Sequence, residues 1–355
     1  MDISNTKDLN NKFIFWRHDD KPSLLMLVGL PGSGKSTIAD KIYAEDEDGK
    51  IRKPIVHSTD DVRLELFGDM NCQDNKDLVY KTIVKRIKDD LKDGKNVIYD
   101  ATNTSKKIRN AFLNELKKIP VYKQCICVMT PYDVCLSFAK ERDGIDVPEE
   151  KIKKIYMNWM PPSVSEGFDA IIPVYNYGNG EKRAEYTLEA LFAKMDPFEQ
   201  ENKHHDYTLG KHCREAAKYI MDTYPNDKDV IIAALLHDNG KLFTKTTLNA
   251  KGVDDGDCHY YQHHSVGAYD SMFYTEMMHM NYEDRLSIAN MIYYHMYPFT
   301  NWKQSEKAMK RDVRMMSDDM YKNIMKLHEA DRAAHGNKKQ EIQKEEELGD
   351  FEIER

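Results

Sequence analysis

Apolar and polar positions change rhythm once along the chain. Up to about residue 178, short apolar runs alternate with longer stretches of helical period. The runs are Leu24–Val28, Pro54–His57, Asn96–Tyr99, Tyr122–Val128 and Phe168–Val174. Runs this short and this continuously apolar suit strands buried on both faces, so the pattern predicts a parallel α/β sheet with crossover helices. Helices are expected from Ile38, over Lys76–Asp93, Lys106–Lys118 and Tyr132–Glu141, and from Pro148 to Trp159. Gly94, Asp143-Gly144 and Pro161-Pro162 act as stops, and Ser58 or Thr59 as an N-cap. A further helix is expected over Ala184–Met195. From Thr208 to Ala334 nearly every segment has helical period and no strand is convincing, which predicts an all-α unit. The organisation read from this is an appendage (1–22), an α/β domain (23–180), a helical linker (181–199), an all-α domain (200–335) and a charged tail (336–355), frayed or disordered.

Composition narrows the class. The chain has 355 residues, 41% hydrophobic and 32% charged, enough for two cores beneath a polar surface. No 18-residue apolar run exists, and Met1–Trp16 lacks a charged start followed by an apolar core. Neither a membrane span nor a signal peptide is therefore expected. The six cysteines show no paired C-x-x-C spacing, and Cys125 and Cys127 alternate on an expected strand as reduced thiols. A cytoplasmic location fits this. Most of the net charge of −8 falls after residue 190. A nucleic-acid substrate would have to meet local basic patches: Lys81–Lys95, Lys106-Lys107-x-Arg109 or Lys151-x-Lys153-Lys154. Acidic neighbours dilute them toward plain solvated helix faces.

Chemistry concentrates first at Gly29-Leu-Pro-Gly-Ser-Gly-Lys-Ser36, which reads G-x-x-x-x-G-K-S between an expected strand and an expected helix. This is a phosphate-binding loop. Gly29, Gly32 and Gly34 shape it, Lys35 reaches the β- and γ-phosphates of ATP, Ser36 holds Mg²⁺, and Thr37 completes the motif. Transfer to a hydroxyl then needs a base and charge neutralisation. Asp60, at the end of the second strand, suits a general base, and Arg63 one turn later suits an acceptor phosphate. Asp100 ends the third strand and either binds the acceptor or acts through Mg²⁺-bound water. Arg142, between two helices of a lid type, suits the phosphoryl group in flight.

The second constellation is His212, His237-Asp238 and Asp331, all on helical segments. Adjacent His and Asp at a helix end can hold one metal, with His212 and Asp331 reaching in from other helices. Imidazole with carboxylate suits Mn²⁺, Co²⁺, Ni²⁺, Fe or Zn²⁺.

With Gly29–Thr37, Asp60/Arg63, Val97-Ile-Tyr-Asp-Ala-Thr-Asn103 and Arg142-Asp-Gly in place, residues 23–178 resemble the polynucleotide 5′-hydroxyl kinases of the phage end-healing type. The resemblance implies a P-loop NTPase fold, Asp60 as base, Arg63 on the phosphate of the reacting end, Asp100 on the acceptor and Arg142 on ATP. The lid departs from that pattern, since Phe138 stands where a second arginine is found. Residues 200–335 resemble the HD phosphohydrolase superfamily, whose signature is H…HD…D. His205-Asp-Tyr-Thr-Leu-Gly-Lys-His212, His259–Ala268, Met291–His295 and His328–Arg332 match its helices. This implies that His263 and His295 complete a second metal site bridged by Asp238, with His264 as an alternative to His263. It also makes Lys241 and His205 phosphate binders, with Lys241 equally readable as a surface lysine. One or two metals would then be held. The combined expectation is a nucleic-acid end-repair enzyme, with RNA favoured. It would use an ATP-dependent 5′-hydroxyl kinase and a metal-dependent 3′-phosphatase or 2′,3′-cyclic phosphodiesterase, upstream of an RNA ligase and as a monomer or an oligomer. The known pairing in a bacterial branch has the HD domain first, whereas here the kinase comes first. The alternative is a nucleoside or nucleotide kinase fused to a nucleotide phosphohydrolase; an ATP-gated binding module ranks third.

Overall fold

The computed structural model describes residues 21–44, 54–141, 146–178, 180–202 and 206–335. Arg142, His205, the charged tail and all but the last two residues of the appendage lie outside them. The chain divides into two compact units, Met1–Arg183 and Ala184–Arg355. No described helix is long and apolar enough to cross a membrane.

The first unit alternates strands and helices: β1 (Ser23–Val28), α1 (Lys35–Ala44), β2 (Ile55–Ser58), α2 (Thr59–Phe67), α3 (Lys76–Lys92), β3 (Val97–Asp100), α4 (Lys106–Glu115), β4 (Tyr122–Met129), α5 (Tyr132–Lys140), α6 (Glu149–Tyr156) and β5 (Ala170–Tyr175). The sheet order is β2-β3-β1-β4-β5, and every pairing is parallel. All of β1 is buried, because helices cover both faces of the central strands. Leu25, Leu27, Ile38, Ile98, Ile126 and Val174 sit together in its core. The five-stranded parallel sheet with flanking helices is a P-loop NTPase fold. Its registers align Met26 with Tyr99 and Ser58 with Asp100. The loops leaving β1, β2 and β3 therefore open on one edge, where the ligands of open α/β sheets bind.

The second unit contains α7 (Leu188–Met195), α8 (Leu209–Thr223), α9 (Lys228–Leu236), α10 (Lys241–Thr244), β6 (Thr246–Leu248), β7 (Asp254–His259), α11 (His263–Met277), α12 (Tyr282–Tyr294), α13 (Asn301–Gln304), α14 (Glu306–Val313) and α15 (Asp318–Ala333). α8 packs on α9 and α15, α11 on α12, and α12 also on α9 and α15. That places these long helices around one core.

Three expectations need correction. The helix expected from Ala184 is a 3₁₀ turn, Glu181–Tyr186, followed by α7. The Thr187 hydroxyl accepts from the Ala190 amide (3.2 Å) and starts a new helix there. The helical half is not free of strands, since β6 and β7 form an antiparallel hairpin. Its Leu248 is exposed and its second strand begins Asp-Asp-Gly-Asp, so it carries no apolar alternation. The turn is set by Asn249, whose side chain accepts from the amides of Lys251 and Val253. Finally, α4 and α6 end three residues before the expected stops, at Glu115 and Tyr156.

Candidate active sites

In the first unit, Gly29–Ser36 turns sharply between β1 and α1. Gly32 has φ +77°, and a Cβ there would overlap the carbonyl oxygen of Cys135. Only glycine fits both constraints. Lys35 opens α1, is buried, and donates from Nζ to the Leu30 carbonyl (2.7 Å). The loop thus lies at a helix N-terminus, where amides and the helix dipole favour phosphate.

Strand order explains the next contact. β3 lies beside β1, so Asp100 ends next to the first turn of α1. There the Ser36 hydroxyl donates to Asp100 Oδ2 (2.7 Å). A P-loop hydroxyl paired with a strand-end carboxylate is the arrangement that holds nucleotide-bound Mg²⁺. On the β2 side, Ser58 is the N-cap of α2, accepting from the Asp60 amide (3.1 Å). The Asp60 carboxylate is therefore not the cap. It accepts from Arg63 Nη1 at 2.7 Å, an i,i+3 pair on one helix face. Gly32, Gly34, Lys35, Ser36, Thr37, Asp60, Arg63 and Asp100 all line one cleft of about 1130 Å³.

The basic patches resolve differently from one another. Lys85, Arg86 and Lys88 on α3, and Lys95 just beyond it, pair with Asp89, Glu65, Glu115 and Asp90, as a solvated face would. Arg109 is not on a surface patch at all. It is fully buried, forks onto both oxygens of Glu166 (2.8 Å each), and donates to the carbonyls of Asn103, Met160 and Pro161. Lys107 and Lys151, from the other two patches, line the cleft together with Lys76.

In the second unit, six side chains converge from helix termini and interiors. His212 is on α8, His237 and Asp238 follow α9, His263 opens α11, His295 caps α12, and Asp331 is on α15. His212 Nε2 lies 3.1 Å from His237 Nε2, 3.2 Å from Asp331 Oδ1 and 3.3 Å from Asp238 Oδ2. On the other side of Asp238, Oδ1 is 3.3 Å from His263 Nε2 and 3.7 Å from His295 Nε2. These are two groups of potential metal ligands, His212/His237/Asp331 and His263/His295/Asp238, with Asp238 reaching both. Gly240 permits the approach, since a Cβ there would overlap the His263 carbonyl.

Ring orientation carries more than proximity does. Each histidine turns Nδ1 to a backbone carbonyl: His212 to Ala334 (3.0 Å), His237 to Ala234 (2.8 Å), His263 to Tyr260 (2.7 Å) and His295 to Ile292 (2.6 Å). A carbonyl can only accept, so Nδ1 holds the proton and a neutral ring presents a bare Nε2. Bare nitrogens 3.1 to 3.3 Å apart, as in the His212–His237 and His263–His295 pairs, repel one another unless a cation lies between them. Carbonyls placed behind the ring in this way are what orient metal-bound imidazoles. The electrostatics point the same way. Burial works against a charged His212, yet the carboxylates of Asp238 and Asp331 outweigh it and raise its pKa to about 9, so the Nε2 that is bare in the neutral ring draws in a cation, be it a proton or a metal. Burial opposes ionisation of Asp238 and Asp331 as well, but Lys241 and the histidines hold Asp238, and His212 and His237 hold Asp331, well below the usual carboxylate range. Burial pulls His263 the other way, well below the usual imidazole range, so its Nε2 stays bare.

Lys241 is not the plain surface lysine of the alternative reading. It is buried, 2.7 Å from Asp238 Oδ2, and donates to Gln200 Oε1 (2.8 Å). His264 is not in the cluster; it packs on Tyr293, and burial pushes its pKa down to about 3. Motif reading passed over Gln200, Lys76, the Ser36–Asp100 pairing and His335. His335 lies with its ring 5.2 Å from His212 and its Nδ1 3.6 Å from Asp331. Only the i,i+4 spacing of His335 from Asp331 could have pointed to it.

The family model described as an AAA domain matches residues 24–162 of the chain. Among solved structures, a chain of the Pnkp1/Rnl/Hen1 RNA repair complex is 26% identical, with a TM-score of 0.34, over 39% of this chain and 44% of that one. The APS kinase of Mycobacterium tuberculosis is 17% identical (TM-score 0.31), over 43% of this chain and 88% of that one. A gluconokinase from Sinorhizobium meliloti is 15% identical (TM-score 0.31), over 43% and 82%. The chain thus spans less than half the length of the RNA repair protein it is similar to. Comparison with curated proteins gives no match. Within this chain, the α/β unit is a P-loop domain by motif, sheet order and family match alike.

Proposed function

We propose that the chain is a bifunctional nucleic-acid end-repair enzyme, with RNA ends as the favoured substrate. The α/β unit transfers the γ-phosphoryl group of ATP to a 5′-hydroxyl. Lys35 neutralises the β- and γ-phosphates, and Ser36 with Asp100 holds Mg²⁺. Asp60 takes the proton of the attacking hydroxyl, Arg63 binds the adjoining acceptor phosphate, and Arg142 has the ATP-binding role that the resemblance implies. The 2.7 Å hydrogen bond between Ser36 and Asp100 supports giving Asp100 to Mg²⁺ rather than to the acceptor. The reading of transfer, as opposed to simple ATP hydrolysis, is carried by the Asp60–Arg63 pair on the same cleft as the phosphate loop. A carboxylate and a guanidinium there suit a hydroxyl flanked by a phosphate.

The helical unit is an HD-type phosphohydrolase. His212, His237, Asp238 and Asp331 would hold one divalent metal, and His263, His295 and Asp238 a second. When bound, two such metals supply an activated water and charge for the phosphate. Lys241 adds a fixed cation beside Asp238, and the buried imidazoles keep their nitrogens aimed by the backbone. A 3′-phosphate or 2′,3′-cyclic phosphate is the substrate.

The test is transfer of labelled γ-phosphate from ATP to a 5′-hydroxyl oligonucleotide, run beside free nucleosides. Transfer to nucleosides with none to the oligonucleotide would establish instead a nucleotide-metabolism enzyme, the reading that the net charge of −8 favours.

A further inference from the structure

Cations and carboxylates both line the cleft of the α/β unit; the carboxylates are Asp60, Asp100, Glu141 and Asp146. Arg63, Lys76, Lys107 and Lys151 line it in addition to Lys35. Arg63 is paired with Asp60. Among the described residues, Lys76 and Lys151 have no carboxylate within ion-pair distance, whereas Lys85, Arg86 and Lys88 of α3, and Lys95 beyond its end, are paired. Lys76 begins α3 and Lys151 lies in the first turn of α6. Two separate elements thus aim ammonium groups at the side of the cleft that holds Arg63. They stand close enough to interact: burial, then the charges of Arg63 and Lys76, pull Lys151 below the usual lysine range. Asp60 offsets that pull on Lys151 only in part, and like charges gathered on one side of a cleft attract a polyanion.

We propose that Lys76 and Lys151 form a second phosphate subsite on the acceptor side of this cleft. It takes the phosphodiester one nucleotide beyond the phosphate at Arg63. The acceptor is therefore a strand of at least two nucleotides. This rests on the kinase reading above and adds strand length to it. Arg63, which can grip a phosphate with two parallel bonds, sets the register of the reacting end. The two lysines act as point charges and track a flexible backbone without reading its bases.

Steady-state kinetics of the full chain test this with three 5′-hydroxyl acceptors, each as RNA and as DNA: a nucleoside 3′-monophosphate, a dinucleotide bearing two phosphates, and a hexanucleotide. The expected result is a KM about tenfold lower for the dinucleotide than for the mononucleotide. In Lys76→Met/Lys151→Met that advantage disappears, with kcat and the KM values for ATP and the mononucleotide within about twofold of wild type. The slope of log affinity for an oligonucleotide against log salt should flatten by about 0.7 for each strand phosphate that the variant no longer neutralises. Lys85→Met, which removes one exposed charge outside the cleft, should change none of these. Equal KM values for mono- and dinucleotide in the wild type, or a double variant that weakens both alike, would overturn the second subsite and leave the kinase reading standing. Transfer to no nucleic-acid acceptor, with transfer to free nucleosides, would overturn both.

Discussion

Glu166→Gln tests how the acceptor-side loop is held. Arg109 and Glu166 are both fully buried, and their two parallel hydrogen bonds are 2.8 Å long. The substitution keeps the shape but leaves the Arg109 charge with only the carbonyls of Asn103, Met160 and Pro161. Stranding one partner of a buried pair costs about 3–5 kcal/mol. The reverse change, Arg109→Met, strands Glu166 with only the Ser163 amide (3.0 Å) and should cost a similar amount. In urea, with a slope of roughly 2–3 kcal/mol/M for a unit of this size, either change moves the midpoint down by about 1–2 M. Trp159, fully buried beside Met160, reports that transition by fluorescence. The destabilisation should occur in the α/β unit while metal content stays unchanged. The double variant Arg109→Met/Glu166→Leu leaves no stranded charge, so its destabilisation should fall short of the sum of the singles by about 2 kcal/mol or more. Function should follow stability, because Arg109 holds the carbonyl of Asn103. Asn103 sits at φ +46° just after Asp100, with its side chain donating to the Leu27 carbonyl (2.9 Å). Midpoint shifts below about 0.5 M, or strictly additive effects, would refute the view that this ion pair anchors the loop.

Gly32→Ala should abolish binding of a fluorescent ATP analogue while leaving the metal content of the protein, by emission spectroscopy, as in wild type, since the added Cβ meets the Cys135 carbonyl; a variant that still binds nucleotide would show the loop to be adaptable. Asp60→Asn should lower transfer at least about 100-fold with little change in ATP affinity, as expected for loss of a general base; a decrease of about tenfold or less would remove Asp60 from that role. Asp238→Ala should lose both metals by emission spectroscopy, because Asp238 reaches both ligand groups, whereas His263→Ala should lose one; equal losses would mean a single site. Burial pushes the Cys127 thiol up to about 12, so at pH 8 well under about 0.1% of it is thiolate, and burial raises the Cys125 thiol well above its usual range too. The half-buried Cys72 should therefore be the one thiol that Ellman's reagent reaches quickly in the native protein, and fast reaction of two or more would contradict the burial described.

What could be read from the chain followed from how its signals arise. β1 and β3 were legible because strands covered on both faces are continuously apolar, and so was the phosphate loop between β1 and α1. The β6–β7 hairpin was not: it buries almost nothing, so no periodicity marks it, and a side-chain turn at Asn249 closes it. Arg109 looked like part of a basic surface because its partner, Glu166, lies 57 residues away. The Ser36–Asp100 pairing depends on β3 lying beside β1, an order that parallel-strand patterns do not encode. Lys151 could be singled out as basic, but its place beside Arg63 and Lys76 needed the fold.

On the proposed reading, transfer in one unit and metal-dependent hydrolysis in the other, the two sites face opposite demands, and they differ in how they hold charge. A transfer site must attract polyanions and release them. Its charges are therefore carried by long side chains around an open cleft, with Lys35 resting on a carbonyl of its own loop. A hydrolytic metal site must keep its cation through every turnover. Its ligands are accordingly short, buried and fixed at both ends, with each imidazole nitrogen opposite the centre tied to a backbone carbonyl. The four carbonyls belong to helix ends or to turns beside them, where backbone acceptors are left over from helical bonding. The mainly helical architecture of the second unit thus supplies the orienting hydrogen bonds itself, and a metal-holding set on these helices needs few other polar side chains behind it.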